Sequence, residues 1–93
     1  MLTKDTQYLV NLCQYYLSGK ISVENFSKEF EMFYIDDARD FPDIEHYILD
    51  DIFDDIDNYE PIKEERDAEP NYIDENELKI RVQEALQKLE RLK

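Results

Sequence analysis

Apolar residues along the chain recur at intervals of three and four, the spacing that places them on one face of a helix. Tyr8, Leu9, Leu12, Cys13, Tyr16 and Leu17 form the first such stripe, and the spacing predicts a helix from Thr3 or Asp5 as N-cap to Ser18. Gly19 follows as the residue expected in a left-handed C-terminal cap. Ser22 reads as the N-cap of a second helix, with Ile21 and Phe26 placed for a hydrophobic staple. Val23, Phe26, Phe30 and Phe33 carry that helix to about Asp36. The short connection makes helices one and two antiparallel neighbours.

Phe41-Pro42-Asp43 reads as a break followed by a cap, with a third helix from about Ile44 to Tyr59. Its expected buried stripe is Ile44, Ile48, Ile52 and Ile56, flanked by Tyr47, Leu49, Phe53 and Tyr59. Pro61 makes continuation costly, because it disfavours helical geometry at Glu60 and lacks an N–H. Residues 61–73 lack apolar periodicity and are expected to form a long loop, functional or mobile. The last helix has the clearest start: Asp74 and Glu77 resemble a capping box, with Ile73 and Leu78 as its staple. Leu78, Val82, Ala85, Leu86, Leu89 and Leu92 give its apolar face, and Lys88, Arg91 and Lys93 suit the negative end of the helix dipole. The expected architecture is therefore all-α, an antiparallel four-helix bundle forming a single domain over residues 1–93. One Gly and three Pro are too few for a turn-rich β fold.

Charge changes the picture. The net charge is −13, and residues 36–77 hold eighteen acids and three bases, so the rest of the chain is slightly basic. Between residues 43 and 60 there are eight acids and no Lys or Arg. On the third helix Asp50, Asp51, Asp54, Asp55 and Asp57 lie between the apolar positions. Pairs such as Asp50/Asp54 and Asp51/Asp55 are helical neighbours, each costing a few tenths of a kcal/mol with no cation interleaved. The plain alternative is a solvated face; the functional one is that these carboxylates are kept for a cationic partner. Side chains one helical turn apart are about 5–6 Å apart, close to the phosphate spacing of a nucleic-acid strand, so the surface suits the role of a nucleic-acid mimic. The same field repels nucleic acid and anionic membranes.

Catalytic and metal chemistry find little support. His46 is the single histidine and Cys13 lies on an apolar helical face. A di-iron bundle needs two carboxylate–histidine motifs, and an EF-hand calcium loop needs a Gly that the Asp50–Asp57 run lacks. Gly19, the only glycine, cannot build a phosphate-cradling loop. No enzyme, metal or cofactor is expected. Most of the seven tyrosines are expected in the core with hydroxyls at its edge; Tyr59 and Tyr72, flanking the acidic loop, are candidate interface anchors. The unpaired cysteine and the absence of a signal-like N-terminal segment make the cytoplasm the expected compartment.

Three segments stand out: Tyr16-Leu17-Ser18-Gly19-Lys20-Ile21-Ser22-Val23-Glu24-Asn25-Phe26-Ser27-Lys28-Glu29-Phe30, Asn58-Tyr59-Glu60-Pro61, and Asn71-Tyr72-Ile73-Asp74-Glu75-Asn76-Glu77-Leu78-Lys79. Colinear and similarly spaced, they resemble the colicin D immunity protein family. The resemblance implies a four-helix bundle that binds the C-terminal nuclease domain of a bacterial toxin, one that cleaves tRNA in the anticodon loop, and blocks its active site with acids standing in for tRNA phosphates. Asp57 and Glu60 carry over most directly by position. The loop differs in length here, so Glu64, Glu65 and Asp67 have no one-to-one assignment, while Asp50, Asp51, Asp54 and Asp55 are candidates from charge alone. The expected partner-binding set is Asp50, Asp51, Asp54, Asp57, Tyr59, Glu60, Glu64, Glu65, Asp67 and Tyr72. A monomer binding one toxin is expected, delivered by a bacteriocin or a contact-dependent inhibition system. The alternative is a mimic directed at another basic nucleic-acid-binding protein; a self-associating bundle is the third class.

Overall fold

The computed structural model describes residues 2–92. Five helices are present among them: α1 Lys4–Leu17, α2 Val23–Tyr34, α3 Asp43–Asn58, α4 Lys63–Ala68 and α5 Glu75–Glu90. Lys93, expected at the cationic end of the last helix, lies outside the described residues.

The caps follow from side chains placed to satisfy the first free N–H groups of each helix. Thr3 accepts from the Thr6 N–H, Ser22 from the Asn25 N–H and Asp74 from the Glu77 N–H. At the end of α1, Gly19 has φ 79°. The Lys20 N–H donates to the Tyr15 carbonyl at 2.9 Å and the Gly19 N–H to that of Tyr16 at 3.0 Å, a Schellman cap. A Cβ at Gly19 would meet nothing within 4 Å, so only backbone strain opposes a side chain there. Gly19→Ala is expected to cost about 1–2 kcal/mol in a urea titration; an unchanged midpoint would refute this account of the turn.

Four helices form the bundle. Tyr16 stacks on Phe26 and Tyr8 on Phe33, which runs α1 against α2. The Tyr34 hydroxyl at the end of α2 meets His46 and Asp50 near the start of α3. The end of α3 meets the start of α5 through Asp55–Arg81, and Tyr16 late in α1 reaches Glu75. Each neighbouring pair is thus antiparallel, as expected from the sequence. Leu9, Val10, Cys13, Phe26, Phe30, Leu49, Ile52, Leu78, Val82 and Leu89 are fully buried between them. Burial pushes the Cys13 thiol up to about 12, so it is an inert core group.

Three expectations are corrected. The stripe of α3 does not begin at Ile44: Ile44 is 60% exposed and Tyr47 76% exposed, while Glu45 is 5% exposed. Glu45 takes the core-facing position because its Oε1 accepts from both the Thr3 N–H and the Thr3 hydroxyl at 3.2 Å. A carboxylate there also faces the positive end of α1. Tyr8 and Tyr15 are exposed on α1 rather than packed in the core. Finally, residues 61–73 contain α4, which buries no residue and therefore leaves no apolar period in the sequence. Smaller differences are that α2 stops at Tyr34 and that Asp43 lies in the first turn of α3 without capping it.

Candidate partner-binding surface

At one end of the bundle α3 stops, α4 follows, and α5 begins. This end is held shut by backbone: the Glu60 N–H donates to the Ile73 carbonyl and the Ile73 N–H to that of Asn58, both at 2.9 Å. The resulting parallel bridge joins Tyr59 and Ile73. Inside it, the Arg66 guanidinium donates to the Glu60 carbonyl at 2.8 Å and the Ile62 N–H to the Glu60 side chain at 3.2 Å. The acidic segment is therefore an ordered turn pinned at both ends.

The expected partner-binding residues fall into groups. Asp51, Asp54 and Asp57 are exposed on α3, and Glu64 and Glu65 are exposed in the first turn of α4. Among the described residues none of these five forms an ion pair. The last turn of α3 holds no base, so Asp57 adds to the partial negative charge of the helix C-terminus. Asp50 is exposed but accepts from the Tyr34 hydroxyl at 3.0 Å, on the side of α3 that faces α2. Asp67 pairs with Lys63 at 2.8 Å, and that hydrogen bond holds its carboxyl below the ordinary value. Glu60 is half-buried with its side chain on the Ile62 N–H. Tyr59 is half-buried against the core, which raises its hydroxyl pKa, while Tyr72 is more open beside Arg66 and Asp67.

Asp55 separates from the other acids. Its side chain is 15% exposed and paired with Arg81 of α5 at 3.1 Å, and Arg81 also binds Glu77 at 3.2 Å. Burial raises its carboxyl above the ordinary value, while the Arg81 hydrogen bond and charge act against that rise. The relief missing within α3 thus comes from across the bundle, and it serves one carboxylate. Asp51 and Asp54 share the adjoining cleft with Arg81, Glu84 and Lys88.

The acidic stretch 36–77 is split between two ends. Asp36 and Asp5 hold Arg39, and Glu45 caps α1, all far from α4. Glu75, counted in the acidic stretch but not among the expected partner-binding residues, also stands at this end, where the Tyr59–Ile73 bridge brings the start of α5 beside the end of α3. Its carboxylate accepts from the Tyr16 hydroxyl at 3.0 Å. Among the described residues no group of three or more His, Cys, Asp or Glu side chains is placed to hold a metal ion, and no helix is long and apolar enough to cross a membrane.

The molecule is thus a helical bundle with one pinned end rich in exposed carboxylates. Comparison with known families places it: residues 6–89 match the family described as bacterial self-protective colicin-like immunity, and the chain belongs to that family. The search of curated proteins returned no match. Membership makes this a self-protective immunity protein, whose role is to bind a cognate toxin.

Proposed function

We propose that the chain neutralises a tRNA-cleaving nuclease domain at the C-terminus of its cognate toxin, one to one, in the cytoplasm of the cell that makes both. The carboxylates at the end of α3 and on α4 lie where the RNA backbone would run and oppose the toxin's catalytic and substrate-binding cations. One observation carries this reading: Asp51, Asp54, Asp57, Glu64 and Glu65 are exposed and unpaired among the described residues, although Lys63, Arg66 and Arg81 lie in the same region. Those cations hold the Asp67 carboxylate, the Glu60 main-chain carbonyl and the Asp55 carboxylate instead. A surface that spends its cations on shaping the turn and leaves the outward acids bare suits a cationic partner, and such complementarity raises association rates toward about 10⁸–10⁹ M⁻¹s⁻¹ at low salt.

The test uses the purified C-terminal domain of the toxin encoded beside this chain and measures tRNA cleavage against added immunity protein. Complete inhibition at an equimolar ratio, relieved by competing tRNA before the complex forms, is expected. A tight complex that still cleaves tRNA, or hydrogen exchange at α3 and α4 unchanged on binding, would reject the occlusion mechanism.

A further inference from the structure

The geometry points to Tyr47 as an apolar anchor of the same interface, seated in a pocket of the toxin's cationic surface; this rests on the function proposed above. Tyr47 is 76% exposed, and its ring and hydroxyl have no partner among the described residues. The core side of that turn belongs to Glu45, Ile48 and Leu49, so the ring contributes nothing to the bundle. On a helix Tyr47 neighbours Asp43, Asp50 and Asp51 one turn away and Asp54 two turns away. Ile44, 60% exposed, sits a turn before it. The ring offers a large side chain for a partner to desolvate, and the carboxylates around it orient a cationic one.

Size argues that the toxin reaches it. A standard interface covers about 800 Å² per partner, roughly 30 Å across, while Tyr47 and Asp57 are about 15 Å apart along the helix at 1.5 Å per residue. A partner centred on Asp51 and Asp54, midway between Tyr47 and Asp57, therefore covers both. Charge decides against a second copy of this chain, because a two-fold contact at this face would set Asp43, Asp50, Asp51 and Asp54 against themselves.

Binding of the toxin's nuclease domain is measured for the wild-type chain, Tyr47→Ala, Tyr47→Phe and Asp57→Lys. Tyr47→Ala is expected to speed dissociation roughly 30-fold or more, with the wild-type melting temperature and the wild-type salt dependence of association. Tyr47→Phe is expected to stay within a few-fold of wild type, since the ring carries the contact. Dissociation of Tyr47→Ala at the wild-type rate would overturn the inference, as would a change in the sedimentation of Tyr47→Ala alone, which would assign the face to self-association. Fast dissociation of Tyr47→Ala with Asp57→Lys unaffected would support the anchor while refuting the acidic occlusion. Failure of the wild-type chain to bind would reject both.

Discussion

The Asp57→Lys/Glu60→Lys double variant is expected to release the toxin roughly 30- to 1000-fold faster than wild type, with the Asp57 substitution costing its fold nothing. The two substitutions act differently. Asp57 is exposed at the end of α3 with no ion pair among the described residues, at a helix terminus where negative charge is disfavoured. Lysine there removes an unfavourable charge and adds a favourable one, a gain of about 0.3–1 kcal/mol. Glu60 has a structural duty besides its charge, because its side chain accepts from the Ile62 N–H. Glu60→Gln keeps that acceptor, so Asp57→Lys/Glu60→Gln separates lost charge from a loosened turn. Stopped-flow association, dissociation by competition and urea titration of each variant give the needed comparison. Wild-type dissociation rates in both double variants would remove the acidic end of α3 from the interface.

Phe26→Ala is expected to lower stability by about 3–5 kcal/mol, a large part of what a domain of this size possesses. The Phe26 ring is fully buried, stacked at 4.4 Å on Tyr16 and tilted at 5.9 Å from Phe30. It joins α1 to α2 next to the Gly19 turn. The melting temperature should fall by about 12–40 °C, and protection against the toxin should be lost only to the extent that the chain is unfolded. A shift below about 5 °C would mean that the core closes over the gap.

What the sequence revealed, and what it hid, follows from range. Thr3, Ser22, Gly19 and Asp74 act within three or four residues of their own position, so their roles as caps were readable from local pattern. The register of α3 was misread in its first turn because Glu45 is satisfied by Thr3, forty-two residues away. Pattern counting sees an isoleucine at position 44 and a carboxylate at 45 and turns the helix the wrong way. α4 was hidden for the opposite reason: it is held by a Lys63–Asp67 pair and by Arg66, not by burial. The acidic end was legible as composition, but composition does not separate Asp55, which serves the bundle through Arg81, from Asp54 and Asp57, which face outward. Cross-helix partners made that division.

The pair of backbone hydrogen bonds between residues 58–60 and Ile73 has a consequence for how such a protein diversifies. Residues 61–72 form a closed ring whose neck is joined by main-chain hydrogen bonds, with Arg66 of the ring bracing the Glu60 carbonyl. A ring closed at its neck in this way can change in length at small cost to the helices below, since the closure cost grows only slowly with length. On the function proposed above, a change of partner can then be written into these dozen positions, without re-solving the packing of the domain that displays them.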